Sequence, residues 1–155
     1  MSAAEPTAAG AGPPSHRTTV AAEWVDYNGH MSEAFYVLVF GHATDGVLEH
    51  IGLGPEGREH SGCSVYTVEA HVRYLQEVGL GAPLTVRTRV VGVGAKTLHL
   101  AHEMVSGEEL VATEEVLGLH VDQQAGATTP FDAAVAERAA ALVEAPPSWC
   151  GRRLG

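Results

Sequence analysis

From Ser32 to about Ile51, the residues Tyr36, Phe40, Ala43, Val47 and Ile51 recur at spacings of four, three, four and four. That spacing puts them on one face of a long helix. Phe35, Leu38 and Val39 widen the apolar surface, so the helix is expected to be largely buried. Gly52 and Gly54-Pro55 supply its stop. The period then changes from near four to two. Tyr66, Val68, Ala70, Val72 and Tyr74 are expected on one face of a strand, opposite Thr67, Glu69, His71 and Arg73. Three further runs alternate in the same way, over Leu84–Val90, Leu98–Val105 and Val111–Val121. Gly92-Val93-Gly94-Ala95 and Ser106-Gly107-Glu108 read as hairpin connections. A short strand over about Arg17–Trp24 precedes the long helix, and an amphipathic helix over about Pro130–Val143 follows the strands.

This order predicts an α+β domain in which one apolar helix packs on a five-stranded antiparallel sheet. One helix cannot cover such a sheet, and its edges stay open, so a homodimer or a tetramer is expected. Residues 15–144 form the domain, with a disordered tail over 1–14 and a flexible tail over 145–155, where Trp149 can pack on the body.

Composition narrows the partners. A net charge of −10 argues against nucleic acid or an anionic membrane, although a few local cations can still hold a phosphorylated ligand. No apolar run approaches the ~20 residues that span a bilayer, and the N-terminus lacks a secretory pattern. Cys63 and Cys150 stand far apart and in no metal-binding spacing, which fits a reducing cytoplasm. His99 and His102, three apart on a strand, point to opposite faces, so no metal site is expected.

The candidate chemistry sits where the first strand meets the long helix, at Trp24-Val25-Asp26-Tyr27-Asn28-Gly29-His30-Met31-Ser32. A helix start offers unpaired N–H groups and a positive dipole end, and Asp26 would stand beside them. A carboxylate next to an oxyanion site is what acyl transfer requires. Each residue also has a plainer reading. Asp26 can cap the helix, Asn28 can fix the turn, and Gly29 can serve backbone geometry. His30 can act through its imidazole or only through its N–H.

The element order, with Asp26-Tyr27-Asn28-Gly29-His30-Met31 ahead of Ala34-Phe35-Tyr36, resembles the hotdog-fold acyl-CoA thioesterases, in the branch of 4-hydroxybenzoyl-CoA thioesterase. His71-Val72-Arg73-Tyr74-Leu75-Gln76-Glu77-Val78 and Lys96-Thr97-Leu98-His99 resemble the thioesterases of carnitine and betaine metabolism. The resemblance implies a hotdog fold, in which a long central helix is wrapped by the sheet, and a dimer whose active sites lie between the subunits. It implies Asp26 as nucleophile or general base, with Asn28 and His30 beside it and an oxyanion held by backbone N–H groups from Gly29, His30 and Met31. No cofactor is implied beyond the CoA carried by the substrate. Arg73, Arg87, Arg89 and Lys96 are the candidates for the CoA phosphates. Trp24, Tyr27, Tyr66 and Tyr74 are candidates for a trimethylammonium acyl group through cation–π attraction. Asp45, on the helix, is a backup acid, and Glu114 or His120 can assist from the sheet. Two other functions remain open. Hotdog hydratases carry Asp-x-Asn-Pro-x-His, from which this chain departs in lacking the proline and in the position of His30. A non-catalytic acyl-CoA-binding module is the other.

Overall fold

The computed structural model of the chain describes residues 12–154. The expected tail over 1–14 therefore lies mostly outside the described residues. Strand β1 (His16–Thr19) is shorter than expected, because the chain turns at Ala22–Trp24 into one 3-10 turn. Helix α1 (Glu33–His50) follows, then a short helix α2 (Pro55–Ser61). Strands β2 (Cys63–Tyr74), β3 (Pro83–Val93), β4 (Thr97–Ser106) and β5 (Glu109–Asp122) come next. Strand β6 (Ala127–Thr128) and helix α3 (Ala133–Leu142) complete the chain. The strands pair antiparallel in the order β1-β3-β4-β5-β2, with β6 also on β5. The sheet thus has six strands rather than five, the addition being the two-residue β6.

Helix α1 ends in a Schellman arrangement: Leu53 N–H donates to the Leu48 carbonyl and Gly52 N–H to that of Glu49, with Gly52 at φ 97°. Proline at the first turn of α2 starts a new helix where the sequence predicted only a stop. A Cβ at Gly57 would collide with the Gly52 carbonyl, so this tight return needs glycine.

The inner face of the sheet carries Leu84, Val86 and Val90 from β3, Leu98, Leu100 and Met104 from β4, and Ala112 and Val116 from β5. Against it α1 buries Tyr36, Val39, Phe40, Ala43, Val47 and Leu48. Two apolar clusters result, one at the N-terminal half of α1 and one at its C-terminal half, where α3 joins through Val135 and Ala139. Between them lies a polar row. His102 is fully buried, with Nε2 2.9 Å from Thr44 Oγ1, Nδ1 2.7 Å from Thr88 Oγ1, and its ring stacked on Phe40. Phe40→Ala is expected to cost about 3–5 kcal/mol, since it removes a fully buried ring and leaves a void beside His102; urea denaturation measures it.

The alternation expected for β2 fails at one point. Pairing with β5 shifts register between Thr67 and Glu69, a bulge at Val68. One inserted residue reverses the faces. Tyr74, Val72 and Ala70 pair with Ala112, Glu114 and Val116 and face α1, whereas Tyr66 pairs with Leu119 and faces outward. Helix α1 is also less covered than its sequence predicts: Val37 and Leu38 are 43% and 41% exposed, and Val68, at the bulge of β2, is 53% exposed. At the other end of the chain, Gly151 N–H donates to the Glu115 carboxylate on the outer face of the sheet, and Trp149 is partly buried.

Candidate active site

Between the 3-10 turn and α1, a bridge pairs Val25 with Met31 and pinches residues 26–30 into a small loop. Asp26 N–H donates to the His30 carbonyl, and Gly29 N–H donates back to that of Asp26. Gly29 has φ 81°, a conformation that favours glycine. Asn28 N–H donates to Asp26 Oδ1 at 2.8 Å, an Asx turn that orients the carboxylate and leaves Oδ2 without a partner among the described residues. Asn28 therefore acts on Asp26 through its backbone.

The three expected oxyanion donors separate. Met31 N–H is taken by the Val78 carbonyl at 2.8 Å and Gly29 N–H by Asp26, so neither is available. His30 N–H has no acceptor among the described residues. The sequence reading missed two more donors. Ser32, at the N-cap, makes no side-chain cap bond, and the Glu33 and Ala34 N–H groups are left open at the positive end of α1.

Asp26, Tyr27, Asn28, His30, Ser32 and Glu33 form one wall of an open trough, and Tyr36, Tyr74, Gln76 and Glu77 form the other. His30 Nδ1 lies 3.3 Å from Glu77 Oε2, which holds the imidazole at the rim. Tyr36 donates to the Gln76 carbonyl and Tyr74 to that of Glu33, and the two rings meet edge to face at 5.2 Å. Burial raises both phenols above their ordinary value, so both stay protonated donors. Of the four candidate aromatics, Tyr27 and Tyr74 line the trough. Trp24 instead stacks on Phe35 against the core, and Tyr66, turned out by the bulge, accepts from Gln123.

The four candidate cations are not brought together. Arg87 and Arg89 lie on β3, three strands from Arg73 on β2, or about 14 Å at ordinary strand spacing. Arg89 is paired with Glu103 and Glu144, and Lys96 sits in the β3–β4 turn. Arg73 shares its hollow with His71, Arg152 and Arg153, two arginines that the sequence reading assigned to a loose tail.

The remaining candidates fall elsewhere. His120 is buried, its Nδ1 2.8 Å from the Thr129 carbonyl and its ring against Phe131, so it holds the core together. Glu69 faces outward with His99 and Glu115. Asp45 and Glu114 line a separate cavity farther along α1. Among the described residues no group of three or more His, Cys, Asp or Glu is placed to hold a metal.

A family model described as the thioesterase-like superfamily matches residues 20–139. A betainyl-CoA thioesterase of Pseudomonas aeruginosa is 42% identical over 91% of this chain and 93% of its own length. A solved structure of a thioesterase candidate from Pseudomonas putida is 36% identical, covers 94% of this chain and 98% of that one, and superposes with a TM-score of 0.80. A Staphylococcus aureus protein solved in complex with CoA is 26% identical over 91% of this chain and 93% of that one, with a TM-score of 0.84. The chain has the hotdog architecture, belongs to the thioesterase-like superfamily and, by that membership, is an enzyme of the thioester-hydrolase class.

Proposed function

We propose that the chain hydrolyses an acyl-CoA thioester at Asp26, and that its acyl group is of the betainyl class. One observation carries the reading: the Asp26 carboxylate and the unpaired His30 N–H share one trough at the start of α1. A carboxylate that attacks the thioester carbon pushes negative charge onto the carbonyl oxygen. In this reading His30 N–H, with the open amides of Glu33 and Ala34, receives that charge. Collapse expels CoA as thiolate and leaves a mixed anhydride, which water cleaves to the free acid. Alternatively, Asp26 takes a proton from water, which attacks directly, and the departing thiolate recovers the proton. Both routes consume one water and give one acid and one CoA. The acyl class rests on the Pseudomonas aeruginosa relative, which bears that name and is similar over nearly its full length.

The working unit in this reading is a homodimer. β2 is an edge strand with unpaired backbone groups, Val37 and Leu38 stand exposed on α1 beside it, and Val68 is exposed at its bulge. A second copy added there covers that surface and closes the trough. The CoA phosphates are assigned to Arg73 with Arg152 and Arg153. Arg152→Ala with Arg153→Ala is expected to raise KM for an acyl-CoA about tenfold with kcat little changed, because the lost contacts hold substrate and transition state alike. Among the described residues no helix is long and apolar enough to cross a membrane. A reducing, cytoplasmic setting suits the free Cys63 and Cys150.

A thiol reagent tests the reading across short, long, aromatic and betainyl CoA esters. Release of free CoA, fastest from the betainyl ester, is expected. Absence of release from every ester sinks it and leaves a binding module; loss of an enoyl-CoA double bond without thiol release marks a hydratase.

A further inference from the structure

A second cavity opens along the same seam between α1 and β2, lined by Gly41, Thr44 and Asp45 from α1, Thr67 and Ala70 from β2, and Glu114 from β5. Glu114 is only 5% exposed and has no hydrogen-bond or ion-pair partner among the described residues; its carboxylate oxygens keep access to the cavity that it lines. Its cross-strand neighbours are His102 and Val72, and both nitrogens of His102 are already committed to Thr44 and Thr88. A buried carboxylate without a partner is costly, and it is kept where something else supplies the charge. Asp45, on the solvent side of α1, adds a second carboxylate to the same cavity. The other walls include Leu38, Val65 and Val116. His42 joins Thr44 and Thr67 as the other polar groups of the lining. Two carboxylates suit a cation, and the apolar stretch of Val37, Leu38, Leu48, Val65 and Val116 suits one that carries methyl groups in place of N–H donors, as a quaternary ammonium does.

We propose that Glu114, supported by Asp45, holds the quaternary ammonium of the acyl group while the Asp26 of a second copy of the chain attacks its thioester. The proposal rests on the thioesterase reading above and adds the cation seat and its place across the dimer. Along α1 the trough reaches Tyr36 and the cavity begins at Val37, so the two open onto one seam that a second copy would cover. The nitrogen of a betainyl group lies two bonds from the thioester carbon, about 3 Å at most. A second copy pairing antiparallel on the β2 edge exchanges the Tyr74 end of that strand with its Thr67 end. Tyr74 borders the trough and Thr67 the cavity, so the exchange turns each trough toward the other copy's cavity, where Glu114 lies. Burial lifts the Glu114 carboxyl to about 7, so the empty cavity need not carry a full charge at neutral pH.

The test compares kcat/KM for betainyl-CoA with that for 3,3-dimethylbutyryl-CoA, a neutral isostere with carbon in place of the cationic nitrogen. The wild-type chain is expected to favour the cationic ester, and Glu114→Gln to lower that preference roughly tenfold or more. An unchanged ratio in Glu114→Gln, or no wild-type preference, overturns the cation seat. Should Glu114→Gln fail to fold, the exposed Asp45→Asn replaces it: a reduced ratio supports the seat, and an unchanged one overturns it. Heterodimers of Asp26→Asn with Glu114→Gln, isolated through two different affinity tags, test the cross-subunit arrangement. They contain one intact site and recover the wild-type ratio if the seat and the attacking carboxylate come from different copies. They keep the Glu114→Gln ratio if both come from one copy, which overturns the arrangement. A wild-type chain that releases thiol from no ester refutes the thioesterase reading itself; the other negative results leave that reading standing.

Discussion

Asp26→Asn is expected to lower kcat by roughly 10²–10⁴-fold while leaving KM and the fold nearly unchanged. The substitution keeps the side chain's shape, and the amide oxygen still accepts from Asn28 N–H, so the Asx turn survives. What disappears is the charge that attacks a carbonyl carbon or takes a proton from water. Residual turnover reflects the open amides of His30, Glu33 and Ala34, which the change does not touch. Thiol release under saturating substrate gives kcat, and a thermal melt shows whether the protein is intact. Turnover within a factor of a few of wild type removes Asp26 from the chemistry and turns attention to Asp45.

The second large effect is on stability and comes from His102. Thr44 has one hydroxyl proton, and its Oγ1 lies within bonding distance of both the Phe40 carbonyl and His102 Nε2. If that proton goes to Phe40, His102 donates from Nε2 and accepts from Thr88 at Nδ1, which is the neutral imidazole. Burial holds its pKa at about 3 rather than 6.5. Below pH 6.5 the unfolded chain takes up a proton at this residue that the folded chain refuses. Stability is therefore fully present above 6.5 and drains away as pH falls toward 3. Each pH unit in that window costs about 1.4 kcal/mol, hence about 3 kcal/mol by pH 4. Glu114 works in the opposite sense. Its folded pKa of about 7 exceeds its ordinary 4.5, so it favours the folded chain least above 7 and opposes part of the His102 effect between 4.5 and 6.5. His102→Gln isolates the first contribution. Its stability deficit relative to wild type, from urea denaturation, should shrink by about 3 kcal/mol between pH 7 and pH 4. A deficit independent of pH shows that His102 titrates normally.

What the sequence displayed was local. Tyr36, Phe40, Ala43 and Val47 repeat within a few turns, so α1 was legible to within a residue or two at its ends. The loop of Asp26, Asn28, Gly29 and His30 was legible for the same reason, because its geometry is closed by bonds within residues 24–32. What stayed hidden depends on distant partners. Met31 looks like a free donor until Val78, far along the chain, brings its carbonyl to it. Tyr66 and Tyr74 share a face in a regular strand, and only pairing with β5 creates the bulge that separates them. The four cations seemed one group because the strand order β1-β3-β4-β5-β2 cannot be read from alternation, and that order places β3 across the sheet from β2. Helix α2 is too short, at seven residues, for periodicity to declare it.

The most direct test is a crystal structure of the chain with a non-hydrolysable ketone analogue of betainyl-CoA, in which a methylene replaces the thioester sulfur. The expected result places the ketone oxygen within hydrogen-bonding distance of His30 N–H, with the Asp26 carboxylate about 3–3.5 Å from the carbonyl carbon. A ketone bound away from Asp26, or a carbonyl oxygen that meets no amide at the start of α1, contradicts the account.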